Sequence, residues 1–147
     1  MKTIITIIIV GFSLVSTYGQ DLNLSIIKET DQPDSMTEHF YVIGVTNSSK
    51  KNSSFSITAN NKLCAKENSP QIDFSHDVLS KNKSIQPKPL NIKPGETIEV
   101  YVKLSRANNT QLNTWNCTEI IATSNDNKVL SNALTIVSFI PDPKDFN

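Results

Sequence analysis

The stretch from Ile92 to Ser124 constrains the fold of this chain more than any other. Ile98, Val100, Val102 and Leu104 alternate with Thr97, Glu99, Tyr101 and Lys103. A period of two is the mark of a strand with one face in a core and the other toward water. Ile92-Lys93-Pro94-Gly95-Glu96 precedes it as a turn. Pro94 fixes φ at the first central position, and Gly95 admits the positive φ that a type II turn needs at the second. After a polar connection, Ser105 to Thr114, a second strand over Trp115 to Ser124 carries the only tryptophan and one of the two cysteines. The pattern leaves its inward face open. Trp115, Cys117 and Ile121 share one side, Ile120 and Ala122 the other, and a bulge near Glu119 would reconcile them.

The remaining segments read as strands laid against this pair. Leu22, Leu24 and Ile26 alternate with Asn23 and Ser25. Phe40 to Val45 is a continuous apolar run, as in a strand buried on both sides or central in its sheet. It stops at the turn-forming Thr46 to Asn52. Phe55, Ile57 and Ala59 alternate with Ser54, Ser56 and Thr58. Asp73 to Leu79 fits no period and is expected as a short helical turn in a long loop, Ala65 to Lys83. Ser84 to Ile92 reads as an extended edge piece, because Pro87 and Pro89 cannot donate to a ladder. Val129 to Ile140 gives a last, long strand that Pro141 and Pro143 end. About seven short strands without a helix of useful length predict one antiparallel β-sandwich over residues 21–147. A closed barrel is the alternative.

Residues 1–20 read as a secretory signal. Lys2 precedes an apolar run from Ile4 to Val15, and Thr17 and Gly19 place small residues before cleavage after Gly19 or Gln20. The run is shorter than the roughly 20 residues that span a bilayer, so no membrane span is expected after cleavage. Removing Lys2 leaves 14 − 1 = 13 basic against 14 acidic residues. Without a basic stripe, nucleic acid is not an expected partner. Cys64 and Cys117 are most simply one disulfide in an exported protein.

These motifs resemble the immunoglobulin-like and fibronectin type III-like sandwich modules of exported bacterial proteins. The resemblance rests on Val45-Thr46-Asn47-Ser48 leaving an early strand, on Ile92 to Glu96 opening a middle one, and on Trp115 to Ser124 with Ala122 near its end. Tyr18-Gly19-Gln20 is similar to signal endings in Bacteroidetes-type bacteria, and Asp34-Ser35-Met36 resembles their short O-glycosylation motif. The resemblance implies a binding or structural module and transfers no catalytic residue. Cys64 departs from the antibody pattern, since it follows the third strand. Its bridge is expected to tie a loop to the penultimate strand.

Three constellations offer chemistry. Asp73, His76 and Asp77 would approach one metal ion on a helical turn, but zinc sites gather three or four ligands and His39 is the only other histidine. A solvated loop is the simpler expectation. Trp115 and Tyr101 are candidates for an aromatic platform under a sugar ring; otherwise Trp115 anchors the core and Tyr101 is a cross-strand partner. No serine lies in a nucleophile elbow, no glycine-rich loop cradles phosphate, and Glu96, Glu99 and Glu119 fall on or beside strands as exposed charges. The sequons at Asn47, Asn52, Asn82, Asn108 and Asn116 would matter in a eukaryotic secretory pathway.

The expectation is a secreted, periplasmic or cell-surface module that is not an enzyme and needs no cofactor. It would bind a protein or envelope component through Asp31 to Thr37, Ala65 to Lys83 and Ser105 to Thr114, or by edge pairing of the last strand. A small carbohydrate-binding module is the alternative, and a metal-dependent hydrolase a distant third.

Overall fold

The computed structural model describes residues 20–65, 69–86 and 88–146. The expected signal sequence, apart from Gln20, lies outside the described residues. Eight strands follow one another: β1 (Leu22–Lys28), β2 (Glu38–Asn47), β3 (Ser53–Lys62), β4 (Ser75–Leu79), β5 (Leu90–Ile92), β6 (Thr97–Ser105), β7 (Thr114–Thr123) and β8 (Leu134–Ile140). They form two four-stranded sheets, in the orders β1-β2-β6-β4 and β5-β3-β7-β8. All the ladders between these strands are antiparallel. The molecule is a β-sandwich. A single 3₁₀ turn, Pro143–Phe146, is the one helical piece among the described residues.

Alternation builds the core. Tyr41, Ile43 and Val45 of β2 and Val100, Val102 and Leu104 of β6 face Phe55 and Ile57 of β3, Ile120 and Ala122 of β7, and Ile136 and Ile140 of β8. Fully burying each large aliphatic or aromatic side chain is worth about 1.5–3 kcal/mol. The apolar run expected to be central does lie in an interior strand, β2. Gly44 on its outer face leaves room for β1, since a Cβ there would sit 2.8 Å from Ile27 Cδ1.

The Lys93–Glu96 turn forms as the sequence implies. Glu96 N–H donates to Lys93 O at 3.1 Å, and Gly95 sits at φ 71°. It delivers the chain from β5, in one sheet, to β6, in the other.

Four expectations are corrected. Asp73 to Leu79 contains no helical turn; Ser75–Leu79 is an edge strand paired to β6. Only His76 and Val78 face inward there, and two apolar-side positions are too few to show a period. Ser84 to Ile92 is not extended throughout: Ile85 makes one bridge to Leu79, and pairing with β3 begins at Leu90. The last strand is shorter than Val129 to Ile140. Val129 bridges Thr123 and Ser131 bridges Leu22, so this segment first crosses between the sheets. Finally, β7 holds an unbroken register with β3 from Thr123 to Cys117, without the expected bulge.

Candidate functional site

Because β7 is regular, Thr114, Asn116, Thr118, Ile120 and Ala122 share its inward face. Trp115, Cys117 and Glu119 face out. Trp115 is therefore no core anchor; its ring packs at 4.7 Å from that of Phe139, across the ladder on β8. The core positions beside it are polar, and hydrogen bonding makes that tolerable. Asn116 Nδ2 donates to Asn61 Oδ1 at 2.8 Å and to Ile72 O at 2.9 Å, while its Oδ1 accepts the Thr118 hydroxyl at 2.9 Å. Asn61 Nδ2 in turn donates to Phe74 O and its Oδ1 accepts Phe74 N–H. His76 Nε2 lies 3.0 Å from Thr118 Oγ1. Since that hydroxyl already donates to Asn116, Nε2 carries the proton and donates to Thr118. This network fastens β4 and the 69–74 segment to the second sheet.

Burial lowers the His76 pKa below the usual histidine range, against opposing pulls from Asp73 and Asp77. The strand geometry separates the weak candidate triad of Asp73, His76 and Asp77, with His76 turned inward and Asp77 outward on β4. Among the described residues, no three His, Cys, Asp or Glu side chains gather as metal ligands. His39 is buried elsewhere, with Nε2 3.1 Å from Met36 O and Nδ1 3.3 Å from Thr30 Oγ1.

Cys64 and Cys117 form a disulfide. Cys64 follows β3, and Cys117 is paired with Lys62, so the bridge ties a loop to β7 as expected. Beyond it the chain returns beside β7, where Ile72 N–H donates to Trp115 O and Trp115 N–H to Pro70 O, both at 2.9 Å. A disulfide fits a protein outside the cytoplasm. No helix among the described residues is long and apolar enough to cross a membrane.

Tyr101 lies on the outer face of the first sheet, on the opposite side of the sandwich from Trp115. Phe40, Val42, Lys28 and Lys83 join it around a cleft of about 220 Å³. Lys83 Nζ stands 4.7 Å from the Phe40 ring centroid. The two candidate platform residues therefore head different surfaces. Of the five sequons named above, Asn47 and Asn116 are buried, with their amides bonded inside the protein, whereas Asn52, Asn82 and Asn108 are exposed, as is Asn23 of a sixth, Asn23-Leu24-Ser25. Asp34, Ser35 and Met36 are exposed in a turn closed by Met36 N–H to Pro33 O at 2.9 Å.

The most distinctive surface is the edge that β8 presents. Asn113 N–H donates to Ile140 O at 2.7 Å, which sets the phase of the strand. Ile140, Ser138, Ile136 and Leu134 direct their backbone groups to β7, and Phe139, Val137 and Thr135 direct theirs away. Among the described residues, no hydrogen bond uses the backbone N–H or C=O of Thr135, Val137 or Phe139. Val137 is 54% exposed. Beside the edge lies a cleft of about 180 Å³ lined by Asp34, His39, Tyr41, Trp115 and Phe139. Burial raises the Tyr41 pKa, while its hydrogen bond to Ser138 acts the other way. That bond joins the sheets next to the open strand. By contrast, the start of the β1 edge is covered: Leu22 N–H donates to Leu130 O, and Leu24 exchanges both backbone bonds with the Asn132 amide. Only the role of the neighbouring residues in positioning this edge, not the edge itself, was hidden in the sequence.

No family model matches the sequence, and no curated protein matches it. Its structure is similar to the crystal structure of a FixG-related protein from Vibrio parahaemolyticus, with a TM-score of 0.51 and 17% identity, over 83% of this chain and 97% of that one. At this identity the likeness shows the all-β fold alone.

Proposed function

We propose that the protein is a secreted, non-enzymatic binding module that engages a protein or envelope component by strand addition at β8. The observation that carries this is the row of unused backbone groups at Thr135, Val137 and Phe139. Natural sheets protect such edges with charge, proline or a cover, because they template pairing with another chain. The seven residues of β8 contain no charge and no proline. A rigid scaffold supports the edge, since the disulfide and the Asn116 network brace β7 behind it.

The immunoglobulin-like resemblance gains support from strand order. The order β1-β2-β6-β4 matches the A-B-E-D sheet of such sandwiches and β3-β7-β8 the C-F-G sheet, with β5 added at the outer side of β3. Export rests on the signal-like 1–20 segment and the disulfide.

The test is affinity capture from native envelope extract with residues 20–147 as bait and Thr135→Pro as control. Proline removes an outward N–H and leaves the β7 ladder intact. A protein enriched by the wild type and lost with folded Thr135→Pro supports the proposal; equal enrichment by both overturns it. A second reading, a carbohydrate-binding module, is favoured by the aromatic floor that Tyr101 and Phe40 give their cleft. It requires that glycan binding be lost in Tyr101→Ala.

A further inference from the structure

We infer that the strand added to β8 is β8 of a second copy, paired antiparallel about a two-fold axis at Val137. The inference rests on the edge-binding reading above and names the partner for it.

An isologous contact must be self-complementary: what one copy offers, the other must need. In antiparallel pairing about Val137, Thr135 lies opposite Phe139 of the other copy, and Val137 lies opposite itself. These are the residues whose backbone groups point outward, so each facing pair exchanges both of its hydrogen bonds. A shift of one residue would set outward groups against inward ones, so the phase of β8 allows only even shifts. Of these, the pairing centred on Val137 is the one that matches Thr135, Val137 and Phe139 wholly with one another.

Charge favours the same arrangement. From Val129 to Pro141 the chain carries no charged residue, and residues 20–147 carry 13 basic against 14 acidic side chains. Extending the register places Asp142 of one copy opposite the uncharged Asn132 of the other, so no like charges meet along the seam. Thr135, Val137 and Phe139 of both copies then share one outer face. There the 54% exposed Val137 side chains meet on the axis, flanked at each end by a Trp115–Phe139 ring pair. The β5-β3-β7-β8 sheets of two copies become one continuous sheet. Edges left bare elsewhere lack this symmetry: β4 is short, with Asp77 in its middle, and Gln86 N–H already donates to Val78 O.

Sedimentation equilibrium on residues 20–147 tests the inference. The wild type is expected to be dimeric at micromolar concentration. Val137→Lys and Val137→Glu each set like charges on the axis and are expected to weaken association at least tenfold, with circular dichroism and melting unchanged at this exposed site. Mixing the two variants is expected to restore a dimer, because lysine then faces glutamate. A wild-type monomer, or a mixture no more associated than either variant alone, overturns the self-pairing. The edge-binding reading fails separately, if the captured partner ignores Thr135→Pro.

Discussion

The Asn47 carbonyl accepts the Gly95 N–H at 2.9 Å, while the Asn47 N–H donates to the Glu96 carbonyl at 3.0 Å. Two sequence motifs far apart in the chain are thereby one structural joint. The Asn47 side chain, fully buried, completes it. Its Nδ2 donates to Lys51 O at 2.7 Å and Ile92 O at 3.3 Å, and its Oδ1 accepts Ser49 N–H and the Ser49 hydroxyl. Asn47→Ala strands those partners in the interior, at a cost of about 2–3 kcal/mol. Urea unfolding measures this directly; a loss below half a kilocalorie would mean that water replaces the amide.

Gly95 has no atom within 4 Å of where a Cβ would stand, yet its φ is +71°. Gly95→Ala should therefore cost about 1–2 kcal/mol through backbone conformation alone. A thermal melt showing the variant to be as stable as the wild type would refute the type II geometry.

The disulfide closes a sequence separation of 53 residues. In the chain-entropy model such a loop contributes about 4 kcal/mol. Cys64→Ala with Cys117→Ala is expected to lose a large part of that while keeping the far-UV spectrum of the sandwich. Unfolding curves of the two proteins at equal denaturant would show the difference, and superimposable curves would contradict it.

His76 makes stability depend on pH. Its folded pKa lies below the unfolded value of about 6.5, so under acid conditions the unfolded chain binds the additional proton. Stability is intact above the unfolded value and falls as pH drops from there through the lowered one. His76→Gln retains a donor for Thr118 and should flatten that part of the profile. Parallel stability profiles for both proteins across this window would remove His76 as the cause.

Much of the fold was legible because β3 and β6 alternate between a dry and a wet face, while β2 is a continuous apolar run suited to an interior strand. Pro94-Gly95 likewise announced its own turn. The register of β7 was not legible: Asn116 and Thr118 occupy the core side, and Trp115 the outside. Hydrophobicity ranks those residues the wrong way round, and only the Asn61 and His76 partners, distant in sequence, explain the inversion. β4 escaped for a related reason, since one of its two inward positions is the His76 imidazole. Pairing at the edge of β8 was expected from its long apolar run, but which backbone groups point outward depended on the Asn113–Ile140 bond.

The central claim, that β8 is an open edge used for pairing, is tested most directly by residue-resolved amide hydrogen exchange at high dilution and again in the associated state. At dilution, Ile136, Ser138 and Ile140 should be protected while Thr135, Val137 and Phe139 exchange freely; on association those three should become protected as well. Protection of all six at dilution, or no change on association, would contradict it.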